Sequence, residues 1–235
     1  MIPPIIDPID VALLKSELNE KTFLRNTNRG NNEIYVVNNE CAPNVLKEIG
    51  RLREVSFRAV GGGSGTACDL DHFDLDDKAC FQLVVWNPEA DEIIGGYRFT
   101  RWSMASFHEN GQPYVNTEHL FDFSQKFIDE YFPYCIEMAR AFVQPKYQSA
   151  QMGRKALFAL DNLWDGIGGL VATDPTVKYL SGKVTIYSSS PELSRKAMVY
   201  YLDKHFGDRE GLITSKNPET WTAEQAEMFE EMFTG

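Results

Sequence analysis

The sequence lacks the long hydrophobic run that a membrane-spanning helix needs, because no stretch approaches roughly 18–20 uninterrupted apolar residues. Its N-terminal segment, MIPPIIDPIDVALLKSEL, carries proline and aspartate where a signal peptide would have a basic start and an apolar core. We therefore expect a cytoplasmic protein, either free or in peripheral contact with a membrane.

Basic residues are also scarce: 23 lysines and arginines face 34 aspartates and glutamates, which gives a formal net charge of −11. Proteins that bind nucleic acid need a basic face to neutralise phosphates. This balance argues against a nucleic-acid partner. It also makes any locally basic segment informative.

Cysteine and histidine are few and scattered. The four cysteines contain no CxxC pair, and a disulfide framework is not expected in a chain of this length. The four histidines lack the spacing of metal ligands. The aspartate-rich segment 69–80 is not an EF-hand loop, because Asp74 and Cys80 occupy the places of its glycine and its bidentate glutamate. We expect no metal.

What is present is the composition of a globular domain, with 43% hydrophobic and 24% charged residues. Apolar periodicity and turn residues predict a hairpin followed by a strand–helix–strand unit, and this order indicates an α/β fold with a mixed sheet. The predicted elements are the strand Glu33–Val37, a helix from Pro43, the strands Phe81–Trp86 and Ile93–Trp102, a helix after Ser124, the strand Tyr134–Val143, the helix Gly153–Asp165, the strand Lys183–Ser188, a helix from Pro191 to about His205, and a helix after Thr222.

Four short motifs follow one another along these elements: Arg53–Arg58 (REVSFR), Asp69–Asp74 (DLDHFD), Gly95–Arg98 (GGYR) and Glu137–Arg140 (EMAR). In this order they resemble the acyl-homoserine lactone synthases. They also resemble the ornithine-lipid or aminolipid type of N-acyltransferases, whose sequences are often called hemolysin-like. Both groups are GNAT-fold users of acyl carrier protein. The resemblance covers roughly residues 45–205.

The resemblance implies a GNAT-like mixed, splayed sheet flanked by helices. We expect a leader with one strand at 1–42, a GNAT-like acyltransferase domain at 43–210 and a C-terminal helical extension at 211–235. The implied activity is transfer of a fatty acyl group, with or without a 3-hydroxyl, from acyl carrier protein to the amine of an amino acid, giving a lyso-aminolipid. No tightly bound cofactor is implied. Two alternatives stay open: acetylation of a small amine by acetyl-CoA, and a non-catalytic GNAT-like binding module.

Two departures from the family pattern bear on chemistry. The donor loop reads Gln148-Ser-Ala-Gln151-Met-Gly153, with Gln151 where the family has its first glycine. A bulkier side chain narrows the approach of a pyrophosphate to backbone N–H groups, which favours a phosphopantetheine on a carrier protein over free acyl-CoA. Phe99–Trp102 (FTRW) replaces the segment that follows the hairpin arginine in lactone synthases, which argues against lactone formation.

The two catalytic candidates lie on the third predicted strand. Glu137 stands in an apolar run, where burial would raise the pKa of its carboxyl and suit it to accept a proton from an amine. Its other interpretations are an ion pair with Arg140 and an edge residue that faces water. The guanidinium of Arg140 can hold the carboxylate of an amino acid with two hydrogen bonds.

The predicted acceptor-binding residues are Arg53, Phe57, Asp71, Asp74 and Arg98. By resemblance, Asp71 and Asp74 organise the acceptor pocket with Arg53 and Arg98. For Arg98, direct binding of a carboxylate and a structural network with the two aspartates are both open.

From Met138 to Leu160 there is no acidic residue, and the helix that starts there has Leu157, Leu160 and Trp164 on one face. Cations in the first turn of a helix oppose its dipole, so they are better explained by a bound anion. Candidate anions are the phosphopantetheine phosphate and an acidic helix of the carrier protein, with a solvated face as the alternative. The predicted donor-binding residues are Gln148, Gln151, Gly153, Arg154 and Lys155.

Overall fold

The computed structural model describes residues 2–76, 78–149, 153–187 and 189–233, with the side chain of Lys155 left aside. The chain divides into two compact units. Unit 1 comprises residues 1–105 and 134–182, and unit 2 comprises residues 106–133 and 183–235. None of the described helices is long and apolar enough to cross a membrane.

In the described ranges, unit 1 is built on a six-stranded sheet in the order β1-β2-β3-β4-β6-β7, and β6 and β7 are the pair of neighbours that runs parallel. This confirms the predicted α/β fold with a mixed sheet. Its elements are α1 (Val11–Glu17), β1 (Phe23–Asn26), β2 (Glu33–Val37), α2 (Pro43–Arg58), α3 (His72–Leu75), β3 (Cys80–Asn87), β4 (Glu92–Arg101), β6 (Cys135–Val143), α5 (Arg154–Thr173) and β7 (Tyr179–Gly182).

The sheet is covered by α2 on one face and by α5 on the other. Pro43 starts α2, since a proline at the first helical position needs no N–H partner. Val45, Ile49 and Leu52 of α2 pack with the strands in one buried cluster. Leu163 and Leu170 of α5 pack in a second cluster against the opposite face. We call these the α2 face and the α5 face.

The neighbours β4 and β6 approach closely around a β-bulge. Gly96 pairs with Phe142 and Arg98 pairs with Ala139, so two residues of β6 lie opposite the single residue between them on β4. Gly95 permits this approach, because a Cβ atom there would lie 2.4 Å from the carbonyl oxygen of Phe142. The GGYR motif thus has a packing role through its glycine, in addition to supplying Arg98.

The sheet opens beside the second half of β6. β7 pairs with Cys135–Met138 and ends at Gly182. In the described part of the chain no strand pairs with Ala139–Val143 on that side. The edge of β6 is therefore open from residue 139 onward.

The predicted strand Lys183–Ser188 is wrong: the partner of β6 is Tyr179–Gly182, and residues 183–187 are not a strand, while Ser188 lies outside the described residues. Val184 is 92% exposed, so this β-branched residue has little surface to pack against. Strand propensity without burial does not make a strand.

Unit 2 contains the antiparallel pair β5 (Phe121–Phe123) and β8 (Ile213–Ser215) with the helices α4 (Gln125–Glu130), α6 (Glu192–Phe206) and α7 (Ala223–Phe233). Ser124 caps α4, because its hydroxyl accepts from the N–H of Phe127 at 3.1 Å. Thr222 and Gln225 form the reciprocal capping box at the start of α7. Both caps confirm the predicted helix starts.

Candidate functional site

A buried network of charges occupies the α2 face of the sheet. Arg53 is fully buried and donates from Nη1 to Asp74 Oδ1 at 3.0 Å and from Nη2 to Gln82 Oε1. Arg98 donates from Nη1 to Asp71 Oδ1 at 2.7 Å and to Asp74 Oδ2 at 3.2 Å. The structure thus brings together the four charged acceptor-site residues that the motifs predicted, and adds Gln82. Phe57 packs nearby against the hydrophobic cluster under α2.

The charges in this network stabilise one another. Burial acts to raise the pKa of Asp71, but its hydrogen bond with Arg98 and the charge of that guanidinium outweigh burial and lower the pKa to about 2. Burial lowers the pKa of Arg98, and the carboxylates of Asp74 and Asp71 more than restore it. Asp71 and Arg98 are therefore both charged at neutral pH.

Arg98 takes part in a structural network with Asp71 and Asp74, one of the two roles that the sequence left open for it. Its side chain is 1% exposed, and two carboxylates already share its Nη1. Burial therefore denies a carboxylate from solution access to this guanidinium. Arg53, with no exposed surface, is even less accessible.

Arg140 differs from these two arginines because 33% of its side chain is exposed. Its Nη1 donates to both carboxylate oxygens of Asp69, at 2.9 and 3.0 Å, and its Nη2 reaches Asp71 Oδ2 at 3.3 Å. Arg140 also adopts a φ of 50°, a left-handed backbone conformation that residues other than glycine rarely adopt. Such backbone strain is concentrated at functional sites.

Asp69 is a site residue that the sequence reasoning did not select. It is 4% exposed, and burial raises the pKa of its carboxyl, an effect that Arg140 and Arg53 partly offset. The one feature of the sequence that could have indicated Asp69 is its position in the second motif, two residues before Asp71. Nothing in the sequence alone indicates which of the clustered aspartates faces Arg140.

Glu137 lies on β6 opposite Thr100 of β4 and Ser181 of β7, and it is 1% exposed. Its Oε2 accepts a hydrogen bond from the indole Nε1 of Trp102 at 3.2 Å. The interpretation of Glu137 as an edge residue that faces water is therefore wrong. A buried carboxylate with a fixed neutral donor is held in one orientation, as a base needs to be.

An apolar groove of about 420 Å³ lies on the α5 face. Ala141 and Val143 form its β6 wall, beside the open edge of the strand. The other lining residues come from β4, the turn after β6 and α5: Tyr97, Tyr147, Gln148, Ala156, Leu157, Leu160 and Leu163, together with Phe142 of β6. We call this space the donor groove.

The N-terminus of α5 opens on the donor groove, because Ala156 and Leu157 of its first turn line it. Gly153 precedes the helix with a φ of 52°, and Arg154 is exposed. The unsatisfied N–H groups and the dipole of a 20-residue helix favour an anion here. Gln148 lines the groove, but its amide donates to the carbonyl of Val143 and so closes the turn.

Two predicted donor contacts cannot be placed, since Gln151 and the side chain of Lys155 lie outside what the structure describes. Two cations of the acid-free stretch Met138–Leu160 are also already paired with carboxylates. Lys146 pairs with Glu92 at 2.6 Å, and Arg140 pairs with Asp69. Among the cations of this stretch whose side chains the structure describes, Arg154 is therefore the one that remains a candidate for an anion site.

The apolar face predicted on α5 is not the face that the helix buries. Leu157, Leu160 and Trp164 are 70%, 56% and 62% exposed. The helix packs on the sheet through a stripe that includes Gly166, where an added Cβ atom would lie 2.6 Å from Leu83. A glycine at this position lets α5 lie closer to the sheet than a residue of the size of Leu157, Leu160 or Trp164 would.

Unit 2 has a wider cavity of about 640 Å³ with a polar lining. It includes His108 and Glu118, whose Nε2 and Oε2 atoms are 2.7 Å apart. None of the residues that the motifs predicted lies there. Among the described residues, no group of three or more histidine, cysteine or acidic side chains could hold a metal ion.

Comparisons with known proteins find related sequences. Residues 52–157 match the acetyltransferase (GNAT) domain, a region that contains all four motifs. The chain is 52% identical over 214 residues to a glycine N(alpha)-acyltransferase of Phocaeicola vulgatus, covering 91% of this chain and 66% of that protein. It is 51% identical over 214 residues to a glycine N(alpha)-acyltransferase of Bacteroides thetaiotaomicron, covering 91% and 64%. The chain thus spans just under two thirds of the length of these relatives.

A solved integron cassette protein from the mobile metagenome of V. cholerae aligns with 86% of this chain and 99% of its own length, at 11% identity and a TM-score of 0.36. At that score the similarity supports no conclusion.

Proposed function

We propose that this chain, which carries a GNAT acetyltransferase domain, is an N-acyltransferase that moves a fatty acyl group from a thioester to the amine of glycine. The donor is acyl carrier protein, and the product is an N-acyl amino acid, the lyso form of an aminolipid. The acyl chain is either plain or 3-hydroxylated. The choice of glycine follows the names of the two relatives.

The observation that carries the proposal is the position of β6 between two different environments. Its α5 side borders the apolar donor groove, and its α2 side carries Glu137 and Arg140. The two sides meet at the open edge of residues 139–143. A thioester lying along this edge would present its carbonyl carbon to an amine held on the other side.

On the donor side, the groove suits a pantetheine arm or an acyl chain, both largely apolar. The phosphate of phosphopantetheine would lie toward the N-terminus of α5, near Arg154. No tightly bound cofactor is needed, since the thioester itself supplies the activated acyl group.

On the acceptor side, Arg140 is the one arginine of the described network with a substantially exposed side chain, and it would hold the carboxylate of the amino acid. Glu137 would take a proton from the substrate ammonium, because only the neutral amine is a nucleophile. The C–N bond then forms as the C–S bond breaks. The proton released by the amine passes to the leaving thiolate.

The test is a donor and acceptor panel with the purified chain and detection of products by mass spectrometry. The donors are acyl carrier protein loaded with 3-hydroxylated and plain long acyl chains, long-chain acyl-CoA, and acetyl-CoA. The acceptors are glycine, ornithine and methylamine, which lacks the carboxylate that Arg140 would bind.

We expect N-acylglycine from the long-chain carrier-protein donors, and little product from methylamine. Product from acetyl-CoA alone would support small-amine acetylation instead. Methylamine acylated as well as glycine would contradict the role given to Arg140. No product from any donor would overturn the proposal and favour a non-catalytic binding module.

A further inference from the structure

We infer that Asp69 is a positioning residue, which holds Arg140 so that the bulge of β6 is maintained and the strand presents the correct side chains to the donor groove. This inference deepens the proposed function and rests on it for its effect on activity. It assigns a role to a residue outside the predicted site.

The side chains of β6 alternate between the two faces of the sheet up to the bulge. Ile136 and Met138 belong to the cluster on the α5 face, so Glu137 and Ala139 face α2. A regular strand would continue this alternation and put Phe142 on the α5 face. Phe142 instead packs in the cluster on the α2 face, and Val143 packs on the α5 face.

The bulge is what reverses the alternation. Because it inserts one residue into β6, every side chain after it changes face, as a one-residue shift in register would do. Without the bulge, the side chains of Ala141 and Val143, which form the β6 wall of the donor groove, would turn to the α2 face. The shape of the groove therefore depends on the bulge.

The bulge has a conformational cost that other contacts must offset. Arg140 sits in it with a φ of 50°, a strained conformation that persists only where the surrounding structure holds it. The two hydrogen bonds from Arg140 Nη1 to Asp69 are the contacts best placed to hold it. Asp71 adds a third, longer contact at 3.3 Å.

Asp69 is itself firmly anchored to α2. Its backbone N–H donates to the carbonyl oxygen of Gly50 at 3.0 Å. The loop before it is tied to the buried carboxylate of Glu54, which accepts from the N–H groups of Ser64 and Gly65 at 2.9 and 3.1 Å. A carboxylate fixed in this way can determine where Arg140 points.

A double-mutant cycle tests the inference through activity. Asp69→Ala should lower kcat by about 10- to 100-fold, since a misplaced groove wall misaligns the thioester. Arg140→Gly removes the strain, because glycine adopts positive φ without penalty. It should raise the KM for glycine, the acceptor. In this background, adding Asp69→Ala should change kcat by less than about twofold, since the contact that it disrupts is already gone.

An equal loss of kcat in both backgrounds would overturn the inference, because Asp69 would then act other than through Arg140. Asp76→Asn is the matched control: Asp76 lies in the same acidic segment with an exposed side chain, and its replacement should leave kcat unchanged.

A second measurement needs no activity. Hydrogen exchange of the Arg140–Phe142 amides should become about tenfold faster in Asp69→Asn than in the parent chain, and should not change in Asp76→Asn. Unchanged exchange in a folded Asp69→Asn protein would also overturn the inference. If the parent chain acylates no acceptor, the proposed function fails, and the exchange measurement still decides the role of Asp69.

Discussion

At the scale of single residues, Glu137 combines a buried carboxylate with one fixed donor, the indole N–H of Trp102. The sequence could predict the burial, because Glu137 stands in an apolar run. It could not predict the contact with Trp102, which joins residues 35 positions apart.

Replacing Glu137 with glutamine should lower kcat by about 10²- to 10⁴-fold at neutral pH, the usual contribution of a general base. The loss should shrink as pH rises toward the pKa of the amine, since a neutral amine no longer needs a base. Profiles of kcat against pH for the two proteins measure this. An unchanged rate at neutral pH would show that Glu137 is structural, and the exposed Glu20→Gln serves as control.

Asp69 and Arg140 show the limit of motif reading at this scale. The motifs selected Arg140 as a catalytic candidate and Asp71 as an acceptor-site residue, and the structure places the two in contact. Whether Asp69 or another nearby aspartate binds Arg140 depends on the backbone conformation at the bulge, which leaves no local signal in the sequence.

At the scale of elements, helix α5 begins on the donor groove with a cation where its dipole prefers an anion. Arg154→Glu should therefore weaken the use of acyl carrier protein far more than the use of a short pantetheine thioester. Charges at a protein interface act mainly on encounter and orientation, and the effect should fade with salt. Values of kcat/KM for both donors at low and high ionic strength measure it.

Equal damage to both donors would identify Arg154 as a ligand of the phosphate that they share, provided that the short thioester keeps it. No damage to either would leave Arg154 as part of a solvated face. Lys21→Glu is a suitable control, since Lys21 is exposed and does not line the donor groove.

Elements also differ in how well the sequence predicted them. The hairpin β3–β4 and the starts of α2, α4, α6 and α7 follow the predicted positions, because turn and cap residues act locally. The short strand β7 was missed and a strand was wrongly placed after it. The choice between the two segments depends on which one meets β6, and this is decided by tertiary contacts.

At the scale of the whole molecule, the charged network joins distant parts of unit 1 and should contribute to its stability in a pH-dependent way. Because the pKa of Asp71 is about 2 in the folded chain, below its ordinary value, its contribution is present above about pH 4. That contribution is lost as the pH falls from about 4 to about 2.

Asp71→Asn should therefore reduce the free energy of unfolding by about 2 kcal/mol at pH 7, and the difference from the parent chain should narrow toward pH 2. Urea unfolding at a series of pH values measures both. A penalty independent of pH would show that shape and hydrogen bonding, not charge, account for the role of Asp71. Asp76→Asn should show no penalty at any pH.

The sequence by itself determined the α/β class, the positions of most helices and strands, and the charged and glycine motifs, since these depend on local propensity and periodicity. Only the tertiary structure decided three other features: the face of α5 that is buried, the strand that ends beside β6, and the aspartate that holds Arg140. Each of these is a choice between alternatives that the local sequence leaves open. In each case, packing against residues far away in the chain selects one of them.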